Sequence, residues 1–419
     1  MPDGAEGLAM KPSGRRALLV VEPRFAQEHV GVRRVIVDYW ERLLARGFEV
    51  ELAVVHQGVL ALVDAEAAAR TRIDISRRSS GMTSPAWSTA TARAGHAHPT
   101  LAPSLAAEQP LDLSTALVGW VRAADFDVSL LSNPWLCDQL MPSERFTHGV
   151  VYDLVPNLLA AQAMDFGTPN WPVTGFAHSH HRGYEFFLDH VDTILCISTS
   201  TRDDFLRYYE PDEGTAVVVD VPFDLDRFLA DYRDVETVDA PGGVAGAARI
   251  LLVNVLDPRK NIEQVTRALS DLSRTRPLSI EIVGNSRLSP GHAPEDYFER
   301  LSENGAAVTW YRGASDELLV ALYRSCDVLL FPSLYEGLGL PILEAQSFGL
   351  PAISGSGSSL GQINFNPSLF VEPTDAKDVA RGVTAFLDKT APIVSGPELV
   401  AANRAFLEAH HTFEASLPD

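Results

Sequence analysis

Short apolar, β-branched runs alternate with amphipathic stretches along most of this chain. Runs of about four to eight apolar residues bounded by Gly, Pro, Asn or Asp read as buried strands. Such runs are Ala17–Val21, Phe48–Val55, Asp127–Ser132, Gly149–Asp153, Thr193–Ile197 and Ala216–Val221. A second series comprises Arg249–Val255, Leu278–Val283, Ala307–Tyr311, Asp327–Phe331, Pro351–Ser354 and Leu369–Val371. Between them, Arg33–Ala45, Asn261–Ser270 and Asp316–Ser325 carry apolar residues at helical spacing. Strand–helix alternation of this kind predicts an α/β chain whose parallel sheets are covered by helices on both faces.

The two series are separated by Asp239-Ala-Pro-Gly-Gly-Val-Ala-Gly-Ala, a stretch without periodicity and the best candidate boundary. At 419 residues the chain is too long for one ordinary core and fits two domains. The expected division is 1–240, an acceptor-side domain, and 247–395, a donor-binding domain, with 396–419 a helical tail turning back toward the first. Residues 66–112, rich in Ala, Ser, Thr, Arg and Pro, break the scheme. They read either as a surface insertion or as a loop shaping an acceptor pocket.

Charge narrows the partners. With 34 Lys and Arg against 55 Asp and Glu, the formal net charge is −21. That balance repels a long nucleic-acid groove or an anionic membrane surface and favours a soluble acceptor. A small phosphate ligand stays compatible with it, because helix N-termini and a few local cations suffice to hold one. No apolar run approaches the roughly 20 residues needed to cross a bilayer, although peripheral membrane contact stays open. The N-terminal residues lack a charged-then-apolar signal pattern. Three widely spaced cysteines suit a reducing compartment, so a cytoplasmic protein is expected.

The richest chemistry lies in Phe331-Pro-Ser-Leu-Tyr-Glu336-Gly-Leu-Gly-Leu-Pro341-Ile-Leu-Glu344. It follows a buried strand, and Pro341 suits the start of a helix, which puts Glu344 in the first turn and Glu336 in the loop before it. Gly337 and Gly339 leave backbone N–H groups accessible, so loop and helix start together form an anion site at a strand's carboxyl end. Two carboxylates beside an anion site make sense if they accept hydrogen bonds from sugar and ribose hydroxyls. A second element, Asn254-Val-Leu-Asp-Pro258-Arg259-Lys260-Asn261, ends a strand and sets two cations before a helix. Asn261 is expected to cap that helix, with Gln264 as half of a capping box. Cations there call for an anion between them and the helix, and Lys260 reads as a phosphate clamp. A third, His29-Val-Gly31-Val-Arg33-Arg34, opens the first helix after the first strand and would face the same ligand from the other domain.

Together these residues resemble the retaining GT-B glycosyltransferases, specifically the large family 4, in which two glutamates frame an E-x7-E motif. Glu336 and Glu344 have that spacing. The stretches Asp316-Glu-Leu to Leu322-Tyr-Arg-Ser-Cys-Asp327-Val, Gly349-Leu-Pro to Ser359 and Val371-Glu-Pro373-Thr-Asp resemble further family segments. So do Tyr152-Asp-Leu-Val-Pro156, Leu195-Cys-Ile-Ser198 and Val221-Pro to Phe228 in the first half. The resemblance implies a GT-B fold, two Rossmann-like domains facing each other across a cleft, and metal-independent transfer with retention of anomeric configuration. It implies a catalytic set of Glu336, Lys260 and Asp153. It implies a donor-binding set of Gly31, Asn254, Arg259, Lys260, Gly284, Gly337, Leu338, Gly339, Leu340 and Glu344. In that set Glu336 contacts the donor sugar, Glu344 the ribose, Lys260 the diphosphate, and the N–H groups from Gly337 to Leu340 its distal phosphate. No cofactor is implied, since the nucleotide-diphosphate sugar is a substrate.

Departures from the family pattern matter. Asn254 stands where an Arg commonly precedes the Lys, with Arg259 or Arg33 as candidate substitutes. Tyr152-Asp153 stands where many relatives have His-Asp. The tail after His410-His-Thr-Phe is short. His178, His180 and His181 in a loop-like run offer three readings: packing or surface residues, a sugar-facing His178, or a metal site, which lacks a supporting carboxylate or Cys. The expected activity is transfer of a hexosyl group from a GDP- or UDP-sugar to a hydroxyl of a glycan or small-molecule acceptor, with a slight lean toward GDP and mannose. The alternatives are a binding-only relative, a phosphorylase or an epimerase.

Overall fold

A computed structural model describes residues 14–24, 30–76, 87–89, 111–140, 143–160, 173–233, 243–286, 288 and 293–418. Two sheets organise them. The first contains β1 (Arg16–Val21), β2 (Glu49–His56), β3 (Val59–Val63), β5 (Leu117–Val121), β6 (Val128–Leu131), β7 (Phe146–Val151), β8 (Val191–Cys196) and β9 (Ala216–Val219), in the order β5-β3-β2-β1-β6-β7-β8-β9. The second contains β10 (Ala248–Val253), β11 (Leu278–Val283), β12 (Ala307–Tyr311), β13 (Val328–Phe331), β14 (Ala352–Ser354) and the two-residue β4 (Trp87–Ser88), in the order β14-β13-β10-β11-β12-β4. The central strands run parallel and are buried over most of their length, because helices cover both faces.

The edges depart from the all-parallel expectation. Gln57 and Gly58 both take positive φ, of 51° and 85°, which makes a two-residue hairpin and turns β3 antiparallel to β2. β5 then pairs antiparallel with β3 and exposes Val118 and Trp120 to solvent. A search for buried runs passes over such a strand. The expected strand Leu369–Val371 is instead a 3-10 turn, Pro367–Leu369, with one isolated bridge from Phe370 to Ser354. Pro367 cannot donate to a ladder, and this segment lies beyond the last strand, where no partner strand follows.

Segments from each half of the chain cross to the other sheet. Within the 66–112 region a helix, Ala65–Ser76, covers the first sheet, whereas β4 adds an antiparallel edge to β12 in the second. Thr89 reinforces that edge, its Oγ accepting from Val308 N at 2.8 Å. Most of the rest of 66–112, and residues 239–242 of the expected boundary, lie outside the described residues. At the other end, the helix Gly396–His410 leads into a 3-10 turn, Phe413–Ser416, packed on the first sheet. Phe413 is fully buried edge-on against Tyr39, with ring centroids 4.9 Å apart, and against His148 at 5.2 Å. Buried Arg42 donates to both carboxylate oxygens of Asp220 and of Glu414, and Asp220 also accepts from the main-chain N–H groups of Thr412 and Phe413. The buried cation is thereby fully partnered, as burial requires.

His148 is sealed into this seam, hydrogen-bonded to Thr147 and to Ser416 of the tail. Burial pushes its imidazole down to about 4, against the opposing pull of Asp220. The folded protein therefore binds this proton less readily than the unfolded chain, and stability falls as pH drops from about 6.5 toward 4. The full effect of the titration is roughly 3 kcal/mol. Urea unfolding of wild type and His148→Gln at pH 7 and pH 4.5 should show a shallower loss in the variant; equal losses would mean that His148 is not sealed by the tail.

Candidate functional site

Both sheets change direction at a topological switch point, and both switch points contribute to one cavity. In the second sheet β10 is flanked by β11 and β13, so the loops leaving β10 and β13 splay apart at their carboxyl ends. A crevice forms there. In the first sheet the same holds for β1, between β2 and β6. The loop after β10 carries Lys260, the loop after β13 carries Glu336, and the helix Val30–Ala45 after β1 carries Gly31. The cavity between them measures about 460 Å³. Its lining includes every residue that the sequence singles out for catalysis or donor binding: Gly31, Asp153, Asn254, Arg259, Lys260, Gly284, Glu336, Gly337, Leu338, Gly339, Leu340 and Glu344.

Gly339 takes φ +92° and caps the helix Leu340–Ser347, so Pro341 is the second helical residue. The helix thus starts one residue before Pro341, and Glu344 sits one full turn in, not in the first turn. Its carboxylate is nearly fully buried, accepting from Tyr323 Oη at 2.8 Å and paired with the Arg34 guanidinium of the facing helix. Among the described residues the N–H groups of Gly337, Leu338, Gly339 and Leu340 have no protein acceptor. They are the unsatisfied donors of a helix start and its preceding loop, an arrangement that binds anions.

This loop is clamped from both halves. Ser358 Oγ accepts from Glu336 N at 3.0 Å, and the single proton of Ser359 Oγ is shared between the carbonyls of Glu336 and Leu338, at 3.0 and 2.8 Å. From the first half, Ser198 Oγ and Thr201 Oγ donate to the Gly337 carbonyl at 2.5 and 3.1 Å. Tyr335 donates to Asp204 at 2.7 Å. A side chain at Gly337 would collide with the Tyr152 carbonyl oxygen, so glycine permits this approach.

Lys260 and Glu336 form a buried ion pair, with the ammonium 4.7 Å from the Phe331 ring centroid. Burial pushes the Lys260 ammonium below its ordinary value, while Glu336 opposes that shift. Arg259 lies against Asp257. Burial disfavours its charge, yet Asp257 above all, with Glu336 and Asp153, holds it firmly protonated. Asn261 does not cap the helix Ile262–Ser273: it takes a left-handed φ of 65°, and its amide donates to the Pro373 carbonyl. The residue is spent on joining the Lys260 loop to the 371–375 turn, so the Gln264 capping box does not form. Asn254 also takes left-handed φ, 55°, and its Oδ1 lies 2.6 Å from where a side chain at Gly284 would begin. Asp153 stands just past β7, its Oδ1 accepting from Val155 N at 3.0 Å.

The three histidines are on a helix, Val173–His190, rather than in a loop. His180 is buried beside Trp135, His181 hydrogen-bonds the Tyr209 hydroxyl at 3.0 Å, and His178 is exposed. Their helical spacing sends them to different neighbours. Sequence reasoning assigned no role to Arg34, Ser198 or Thr201. Their partners lie more than a hundred positions away, and no local pattern announces them.

Residues 239–393 match the family described as Glycosyl transferases group 1. Over 197 residues the chain is 27% identical to O-antigen chain mannosyltransferase B of Escherichia coli, covering 46% of this chain and 51% of that protein. It is 23% identical over 263 residues to the serotype-specific mannosyltransferase WbdA of Escherichia coli, covering 60% of this chain and 31% of that one. The chain thus spans about half the length, or less, of these curated relatives. The Anabaena protein HepE, solved in complex with UDP-glucose, superimposes with TM-score 0.56 over 96% of this chain and all of its own, at 11% identity. The fold is therefore that of the GT-B glycosyltransferases, and mannosyltransferases are among the homologues.

Gly337→Ala should disturb the loop by forcing it off the Tyr152 carbonyl, costing about 1–3 kcal/mol in unfolding free energy. Gly357→Ala, where a side chain meets nothing within 4 Å, is the control. Equal thermal stability of the two variants would show that the close approach at Gly337 is not constrained.

Proposed function

We propose that this chain, with the group 1 glycosyltransferase match over residues 239–393, is a retaining hexosyltransferase that takes its sugar from a nucleotide diphosphate. One observation carries the reading: a buried Lys–Glu pair and four unsatisfied main-chain donors line a single cavity between two α/β sheets. The donors and Lys260 fit a diphosphate, whose charge grows as the glycosidic bond breaks. The carboxylates Glu336 and Glu344 fit hydroxyls of the sugar and the ribose. Asp153, across the cleft, fits the acceptor side.

In this reading catalysis rests on leaving-group stabilisation. As the bond from the anomeric carbon to the phosphate oxygen lengthens, the N–H groups of Gly337 to Leu340 and the Lys260 ammonium stabilise the departing charge. The acceptor hydroxyl attacks from the same face, and the departing phosphate takes its proton, which preserves configuration. Glu336 has two tasks, holding sugar hydroxyls and keeping Lys260 aimed at the phosphate. Burial makes each contact stronger than in water. With Asn254 at the position of the family's common Arg, Arg259 and Arg33 line the same cavity, beside Lys260 and Arg34, as candidate substitutes. The mannosyltransferase homologues favour a hexose donor, and the complex recorded for HepE supports a nucleotide-sugar fit for this fold. A cytoplasmic, metal-independent enzyme acting on a glycan or small-molecule hydroxyl completes the proposal. Among the described residues no helix is long and apolar enough to cross a membrane.

The test is incubation with GDP-mannose, GDP-glucose, UDP-glucose and related donors plus simple glycoside acceptors, with product anomers read by NMR and the reaction repeated in EDTA. Transfer with retention, unaffected by chelation, is expected. Glu336→Ala should lower kcat roughly a hundredfold or more with the fold intact. Turnover of Glu336→Ala at the wild-type rate, or sugar release that requires inorganic phosphate, would sink the assignment.

A further inference from the structure

Arg34 sits where the two halves meet, and its guanidinium is shared between two acids of the opposite half. Nη1 pairs with Glu344, and Nη2 donates to Asp316 Oδ1 at 2.9 Å. The Glu344 side chain is 2% exposed and that of Arg34 is 26% exposed. Both residues line the 460 Å³ cavity and also a second one of about 500 Å³ on the other side of the pair. The ion pair is thus a partition between the two.

The Glu344 carboxylate is nearly fully buried, so a ribose hydroxyl gains an oxygen only where one of its present partners withdraws. On Glu344, Tyr323 holds one oxygen and Arg34 the other. Tyr323 is fully buried in the same half as Glu344 and has no evident freedom to leave. Arg34 is partly exposed, belongs to the opposite half and has a second anchor. If its Nη1 leaves Glu344, Nη2 can stay on Asp316, which is itself fixed by the Tyr232 hydroxyl at 3.1 Å. The adjoining cavity is lined by both acids and arginines, among them Asp231 and Arg33, with Asp38 already paired to Arg42 and Arg227, so Asp316 is the carboxylate that keeps the guanidinium there. A guanidinium that leaves Glu344 therefore still has the Asp316 carboxylate as its counter-charge.

Resting on the nucleotide-sugar reading above, we propose that Arg34 is a placeholder for the donor's ribose: it holds Glu344 and the two halves together in the free protein, and the ribose hydroxyls displace it onto Asp316. Ligand entry is then a competition, in which the free energy of the Arg34–Glu344 pair subtracts from donor affinity. The same exchange couples the hold between the halves to site occupancy.

Calorimetric titration of wild type, Arg34→Met and Asp316→Asn with UDP, GDP and ADP tests this, together with X-ray scattering of each ligand-free protein. Arg34→Met should bind its preferred nucleotide roughly fivefold more tightly or better, and should scatter as a more extended particle when ligand-free. Asp316→Asn removes the second anchor and should weaken nucleotide binding. Unchanged or weaker binding by Arg34→Met would overturn the proposal, because Arg34 would then be neutral or itself a nucleotide ligand. Tighter binding by Asp316→Asn would overturn it as well. If wild type binds none of the three nucleotides, the donor reading fails by itself. Scattering would still judge the hold: no extension in Arg34→Met would overturn it.

Discussion

One carbonyl group organises the join between the two sheets. The main-chain oxygen of Gly337 receives hydroxyl groups from Ser198 and Thr201, while the Gly337 α-carbon lies against the Tyr152 carbonyl. A loop of the second sheet is thereby pressed onto the strand ends of the first with no side chain between. The Gly337 carbonyl shares its peptide plane with the Leu338 N–H, so holding that oxygen on the serine and threonine turns this N–H away from them, while Ser359 holds the neighbouring Glu336 and Leu338 carbonyls. The contact that joins the halves therefore also fixes one of the four donors, and Ser359 fixes its neighbours.

The electrostatic problem of such a site is that cations must be kept buried before any anion arrives. This chain solves it by pairing: Lys260 with Glu336, Arg259 with Asp257, Arg34 with Glu344 and Asp316. Removing one partner from such a pair is costly, since the remaining charge is stranded. On the proposed function a strongly acidic protein hosts a phosphate because its acids are arranged as counter-charges for cations and do not line the cavity alone. In that proposal the main-chain donors complete the anion site without adding charge that would need a partner.

Much of this was legible in the sequence where the signal is local. The central strands announce themselves as continuous apolar runs because helices bury both faces. The Gly337, Gly339 and Pro341 punctuation marks the loop and helix start to within one residue. Less legible were features set by distant partners. Val118 and Trp120 face water on an edge strand, so β5 departs from the buried pattern of the central strands. Asn261 looks like a cap, yet the Pro373 carbonyl captures its amide. Arg34 finds Asp316 at a separation of 282 residues, and nothing near it in sequence says so. The histidine run reads as a loop because its neighbours are small and polar, whereas helical packing against Trp135 and Tyr209 decides its conformation.

The account stands or falls on where a diphosphate binds. A crystal structure of the protein with a bound nucleoside diphosphate is the most direct measurement. It should place the distal phosphate within hydrogen-bonding distance of the N–H groups between Gly337 and Leu340, with the Lys260 ammonium beside it. A phosphate held elsewhere, with those four N–H groups turned to solvent, would contradict it.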